Sequence, residues 1–410
     1  MLTTFKWTGL AFILFCQINT SAQTISYTPY SVYGIGQLKE RTSAYNRMMG
    51  GTGIGIRDNL NLNNRNPASY NAIQGPTQIT EIGFYLEKNK LTSSSLAASH
   101  TNGSINPFNL WFRFSKKVAG TVGLAPFSII DYNVIGTKNF SGDDVQIQYN
   151  GQGGLSQLYF GNAFQLTKNL SIGFNAAYIF GSADKEETIL SGEAVGISLE
   201  NKTTINRATF DVGAQYTIPL QNERYLVLGA TFANKLRLNT SRNIRVYETN
   251  GEDSLYVDEA SVRDFVLPST IGSGIAFQSI RHTVAFDADF KQWAHAALDE
   301  NLDLQNTRRY SLGYQYKGNP KSLNYVGLIT LSSGLYFQNH YLKLNNTNFN
   351  EWGFTLGAGF PMINNRGSIN LSYNYNVSGT TASRLIKQQA QVFVVDIVFR
   401  DLWGIRQKFD

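Results

Sequence analysis

The chain has 410 residues, with 35 Lys and Arg against 29 Asp and Glu, and is rich in aromatic residues and glycine but poor in proline. Its basic residues are dispersed, which excludes the dense basic patch that nucleic acid requires. No stretch beyond the N-terminus approaches the 18 uninterrupted apolar residues of a membrane helix.

The chain opens with a leader. Lys6 gives a short positive region, Trp7 to Cys16 is apolar apart from Thr8, and Thr20-Ser21-Ala22 precedes Gln23. Thr20 and Ala22 match a cleavage site imperfectly, but the layout reads as a secretory signal over 1–22. The apolar run is shorter than the roughly 20 residues a spanning helix needs. Cys16 is the only cysteine, and the bulky Phe15 before it disfavours a lipoprotein signal. Cleavage after Ala22 leaves no disulfide, thiol nucleophile or cysteine-ligated metal.

Residues 23–76 show no alternation. Pro29 and Tyr30, a polar helix-like stretch over Leu38–Arg47, the run Gly50-Gly51-Thr52-Gly53-Ile54-Gly55, several asparagines and Asn66-Pro67-Ala68 predict a compact irregular unit. From residue 77 apolar residues recur at every second position. Strands are expected near 77–90, 105–115, 119–134, 155–166, 170–181, 207–217, 225–235, 265–277, 282–293, 308–317, 325–338, 351–361, 367–377 and 390–403. Each is close to the ~9–11 residues of a tilted membrane-spanning strand, or somewhat longer.

Connections alternate between short turns and long polar loops, near 91–104, 135–154, 182–206, 236–264, 294–307, 339–350 and 378–389. That parity predicts an all-β fold: a transmembrane antiparallel β-barrel of about 14 strands occupying 77–410, with short turns periplasmic and long loops outside. Facing agrees. Val284, Phe286, Ala288 and Phe290 oppose Asp287, Asp289 and Lys291, and Phe393, Val395, Ile397 and Phe399 oppose Asp396 and Arg400. A Lys or Arg on the lipid face costs roughly 2–4 kcal/mol at mid-membrane, so Asp287, Asp289, Lys291 and Asp396 are expected in the lumen as a charge network. Trp293, Trp352 and Trp403 fall at strand ends, where interfacial aromatics belong.

The third strand breaks its own phase at Pro126 and Phe127. Proline cannot donate to a ladder. An interrupted pair there would open a gap in the wall, and a harmless bulge is the alternative.

The stretch Arg47-Met48-Met49-Gly50-Gly51-Thr52-Gly53, then Asp58, then Asn66-Pro67-Ala68, resembles the N-terminal hatch of FadL-type outer-membrane transporters of fatty acids and other hydrophobic compounds. Leu267-Pro268 with Gly272 and Gly274, the Asp287…Trp293 spacing and the tail Arg406-Gln407-Lys408 are similar to that family's Bacteroidota members. The resemblance implies a barrel in the outer membrane of a Gram-negative cell, in contact with its lipid and plugged by residues 23–76. It implies gating by Gly50, Gly51, Gly53, Asn66, Pro67 and Ala68, and lateral exit of a hydrophobic ligand at Pro126 and Phe127. The polar loops 182–206 and 236–264 depart from a greasy landing site.

Little else suggests chemistry. His100, His282, His295 and His340 are scattered without metal-ligand spacing. The glycine run lacks the Lys-Ser/Thr of a nucleotide loop. Asp143-Asp144 reads as a solvated turn before a calcium site. No enzyme activity, metal or cofactor is expected. The first functional expectation is passive, hatch-gated passage of hydrophobic small molecules. The alternative is a structural barrel subunit of an outer-membrane protein assembly or secretion complex, its long loops and outer wall binding partner proteins.

Overall fold

The structure, a computed structural model, describes residues 29–401 apart from 75–77, 95–96, 141–142, 191–195, 249–253, 261–264, 299–301, 345 and 363–365. The expected leader and the tail Arg406-Gln407-Lys408 lie outside the described residues, as does Trp403.

Fourteen antiparallel strands close into one barrel. They are β1 (Gln78–Thr92), β2 (Ala97–Arg113), β3 (Val118–Phe140), β4 (Asp143–Gln165), β5 (Leu170–Leu190), β6 (Ile197–Leu220) and β7 (Arg224–Ala233). The ring continues through β8 (Thr270–Gln278), β9 (His282–Lys291), β10 (Thr307–Tyr316), β11 (Thr330–Asn339), β12 (Asn350–Pro361), β13 (Gly367–Ser378) and β14 (Lys387–Asp401). β14 closes on β1 along its full length, from Gln78↔Asp401 to Thr92↔Lys387. Closure at this seam leaves neither β1 nor β14 with an edge that hydrocarbon cannot satisfy.

The period-two pattern explains the wall. On β14, Phe393 and Phe399 are each 49% exposed, whereas Val392, Val394, Asp396, Val398 and Arg400 between and beside them are buried. On β9, Val284 and Phe286 point out while Asp287 and Asp289 are buried.

The loops expected at 91–104, 135–154 and 182–206 are largely strand. β3 and β4 each run 23 residues, β5 21 and β6 24. About a dozen residues of each overshoot the membrane, a wall projecting roughly 30 Å after allowing for tilt. The loop at 236–264 adds a hairpin, Asn239–Glu248 with Ser254–Ala260, which pairs with the upper part of β6. Water on both faces removes the apolar alternation by which strands are read, so these extensions look like loops in sequence.

Residues 29–73 thread the lumen from the outer mouth to the periplasmic end. They form the short 3-10 helices Pro29–Val32 and Pro67–Ala72, a one-turn helix Ala44–Arg47 and a two-residue strand Gln37–Leu38. Of the helix-like stretch over Leu38–Arg47, only its end is helical. The part before it is irregular, with Thr42 N donating to Glu40 O at 2.9 Å, and carries Glu40 and Arg41 into ion pairs with the wall.

Candidate functional site

The hatch packs directly on backbone. Gly50 and Gly51 take φ of +71° and +80°, left-handed values that glycine adopts without a steric penalty. Gly50 N donates to Thr355 Oγ1 on β12 at 2.9 Å. A side chain at Gly334 of β11 would run into the backbone of Met49 and Gly50. Gly53 N and Ile54 N both donate to Asp287 Oδ2, at 2.7 and 2.9 Å. Asn66 caps the helix that Pro67 begins, its Oδ1 accepting from Ala68 N at 3.0 Å, while its Nδ2 donates to Ile54 O at 2.9 Å and to Ala214 O on β6 at 3.1 Å. Asn66-Pro67-Ala68 therefore anchors the hatch to itself and to the wall.

Above this layer lies an ionic one. Arg65 Nη2 meets Asp289 Oδ2 at 2.6 Å. Glu40 lies within 3.6 Å of Arg65 and Lys291 and 3.8 Å of Arg309. Burial alone would raise the Glu40 pKa, but Arg309, Arg65, Lys291 and Arg47 outweigh it and hold the carboxylate well below the usual range. Arg41 pairs with Asp211 of β6 at 3.0 Å and lies 4.5 Å from the Tyr159 ring. Asp396 accepts from Ala44 N at the start of the one-turn helix.

Asp289 and Lys291 thus share one network through Glu40 and Arg65. Asp287 and Asp396 hold separate backbone segments of the hatch. Glu40, Arg41, Arg65, Asp211 and Arg309 escaped sequence reasoning. Asp211 and Arg309 stand on inward positions of their strands and were readable from the alternation; the hatch charges carry no such signal.

At the periplasmic end Lys317 Nζ reaches Asp58 Oδ2 at 2.7 Å, and Asp58 Oδ1 accepts from Leu60 N and Asn61 N. Burial would raise the Asp58 pKa, but Lys317 and the two backbone donors lower it to about 2.

The outer mouth is capped by apolar packing. Ile35, Leu236, Leu238, Leu267, Trp293 and Leu298 bury one another, and Trp293 stacks on Tyr341 at 4.5 Å. Trp293, expected at a membrane interface, is 1% exposed, because β9 ends at Lys291 and the chain turns over the lumen. Trp352 is 47% exposed on β12. Beside this cap His340 stacks between Phe349 at 4.4 Å and Tyr341 at 4.7 Å, and burial pushes its pKa down to about 3. Between cap and hatch lies a cavity of about 490 Å³, lined by Arg41, Arg65, Lys291, Arg309, Asp211 and Glu87 among others.

Pro126 and Phe127 line the same cavity. The β2–β3 ladder ends at Phe108↔Leu124, although both strands continue. The same register would set Pro107 opposite Ala125 and Pro126 opposite Asn106. Phe114 N donates to Val118 O, which makes Phe108↔Leu124 a hydrogen-bonded rung and Pro126 the next position facing β2. The ladder therefore stops where Pro126 lacks a donor, while Pro107, one step out of phase, lacks its donor on the β1 side, beside the bulge between Ile82 and Phe84. Pro107 was missed in sequence, where it sits inside the segment read as strand 105–115. Above the break the hatch takes over: Gln37 and Leu38 pair with Ile129 and Ser128 of β3, and Lys39 reaches Glu87 of β1 at 3.4 Å.

A family model described as BamG matches residues 4–410. No curated protein matches the chain. Among solved structures, a FadL homologue of Pseudomonas aeruginosa shares 12% identity over 89% of this chain and 99% of its own, with a TM-score of 0.64. The toluene transporter TodX of P. putida shares 16% identity over 90% and 100% of the two chains, with a TM-score of 0.60. CymD, a monoaromatic hydrocarbon channel, shares 13% over 89% and 98%, with a TM-score of 0.59. Identities so low establish the fold alone, a barrel built like those of these three proteins; with the family match over nearly the whole chain, the closed barrel belongs in the Gram-negative outer membrane.

Proposed function

This chain belongs to the BamG family, and we propose that its barrel is a sealed structural subunit of an outer-membrane protein-assembly complex. The observation that carries this reading is the double closure of the lumen. An apolar cap fills the mouth, and an ion-paired hatch fills the barrel below it. Arg65 and Asp289 have side chains only 12% and 5% exposed. Parting such a buried pair by removing one partner costs about 3–5 kcal/mol. The chamber's lining is mixed, with Arg41, Arg65 and Asp211 beside Phe127, Phe210 and Trp293, so an apolar solute would offset only part of that cost, because binding pockets for such solutes are mostly apolar. The projecting wall of β3–β6 supplies a large protein-accessible surface outside the membrane, in keeping with a scaffold.

The break between β2 and β3 favours a second reading. Pro126 and Phe127 join the chamber to the wall, so a hydrophobic molecule released into the chamber would leave sideways, with Gln37–Lys39 as the latch and the hatch around Asn66–Ala68 shifting to admit it. The solved neighbours named as hydrocarbon channels lend that reading its fold. Gentle detergent extraction followed by mass spectrometry, with liposome flux of labelled fatty acid and toluene, separates the two. The scaffold reading expects a fixed stoichiometry with outer-membrane assembly proteins and flux equal to protein-free liposomes. A lone barrel that raises flux overturns it.

A further inference from the structure

We infer that the upper edge of β2 is a strand-addition site, which takes an extended segment of a partner outer-membrane protein. The inference rests on the scaffold reading and names the surface through which that scaffold binds.

The physical argument begins with the ladder. β2 pairs with β1 from Thr92↔Ala97 down to Gln78↔Phe112, but with β3 only from Phe108 to Arg113. Among the described residues, no strand lies against the other side of β2 above Phe108. Backbone N–H and C=O groups of alternate residues point to that side. The lower part of this edge stands at membrane depth. Gly103 and Ile105 pair with Leu86 and Phe84 of β1, which are 51% and 49% exposed on the lipid face. An unsatisfied backbone group in hydrocarbon costs several kcal/mol. Lipid tails offer no donors or acceptors, whereas a strand offers both at the repeat the edge requires.

Side-chain chemistry points the same way. Ile105, at the foot of the lip, is a large apolar side chain 59% exposed, and above it the outward residues Gly103 and Thr101 are small, Thr101 facing Lys88 of β1 where that strand has also turned polar. Ala97, Ala98 and Ser99 continue that character above, and are exposed. Small side chains let a second backbone approach to the ~4.8 Å of a ladder.

The molecule itself shows that this seam accepts added strands. The opposite lip, on β3, is occupied by the hatch segment Gln37–Leu38, with Lys39 N donating to Phe127 O at 2.9 Å. That segment pairs with β3 alone, so the β2 lip stays available. A partner strand there would complete the wall through main-chain pairing, the mode of β-augmentation.

The test uses a photo-crosslinking residue placed in turn at Ser99, Thr101 and Gly103 of the full chain in cells, with Phe393 on the lipid face as control. Expected are adducts with one protein at all three lip positions, mapping to a single stretch of it in steps of two residues, and none at Phe393. A paired substitution sharpens the readout. Thr101 and Asn102 send their N–H groups to opposite sides. One of Thr101→Pro and Asn102→Pro therefore removes a β1 rung, while the other removes only a lip donor. The lip variant is expected to keep the folded, heat-modifiable band and lose the adduct at least tenfold. A co-purifying complex whose adducts avoid the lip overturns the inference and leaves the scaffold reading standing. Absence of both complex and adducts overturns the two together.

Discussion

Replacing Lys317 with Met should loosen the hatch and leave the barrel intact. Lys317 follows β10 at the periplasmic end, and its ammonium lies 2.7 Å from Asp58, with side-chain exposures of 25% and 2%. At that separation, an effective dielectric of about 20 gives roughly 6 kcal/mol of attraction before desolvation is subtracted. The lowered pKa gives a second measure. A fall from 3.8 to about 2 corresponds to about 2.5 kcal/mol of preference for the ionised form in the folded protein. Met keeps much of the stem's apolar packing but leaves a buried carboxylate held by Leu60 N, Asn61 N, Asn61 Nδ2 and the Tyr45 hydroxyl, with Arg400 the cation that remains in reach of its charge. Partial exposure of Lys317 places the loss near the low end of the range for broken buried pairs, about 3 kcal/mol, a factor on the order of 10² in hatch opening. Hydrogen exchange in detergent micelles reads this directly. Amides over 53–64 should lose about two decades of protection while those of β10 keep theirs. Asp58→Asn in the Lys317→Met background should recover part of the loss, since the neutral amide no longer needs a cation. Unchanged exchange in the single variant, or equal loss in hatch and barrel, would refute the argument that this pair locks the hatch.

Three further outcomes follow from the same contacts. Because the folded Asp58 pKa is depressed to about 2, its contribution is full above the ordinary carboxylate range and is lost as pH falls toward 2; Glu40 acts in the same direction. Hatch protection should thus hold from pH 7 to about 4 and collapse below, whereas a collapse at neutral pH contradicts the assignment. Gly334→Val sets a side chain against the backbone of Met49 and Gly50 and should cost about 1–3 kcal/mol of hatch docking, seen as a lower melting temperature with the closed barrel retained. Pro126→Thr restores the one donor that faces β2 at the end of the β2–β3 ladder and should slow exchange at Ala125–Phe127; exchange as fast as in the unaltered chain would mean that this proline does not end the pairing.

The gating role expected for Gly50, Gly51, Gly53 and Asn66-Pro67-Ala68 was inferred from a resemblance, and the contacts add a plainer role. Gly50 and Gly51 turn the chain where it lies on β11, and Asn66 ties two hatch segments to β6. The lateral break was legible from Pro126. The part played by Pro107 was not, since only the register shows that its missing donor falls on the β1 side, beside the bulge between Ile82 and Phe84.

What the amino-acid order determined by itself is the cylinder: where strands cross the lipid, which side chains face hydrocarbon and which end carries the turns. Lipid imposes that pattern residue by residue, since one misplaced charge on the outer face has no remedy nearby. Only the folded molecule decided what fills the cylinder. The partners of Glu40, Arg41, Arg65 and Asp58 lie on β6, β9, β10 and the turn after β10. They are brought together by ring closure and not by local sequence, because an irregular segment has no period to reveal its faces. The height of the outer wall was settled in the same way, by strand pairing between segments that water covers on both sides.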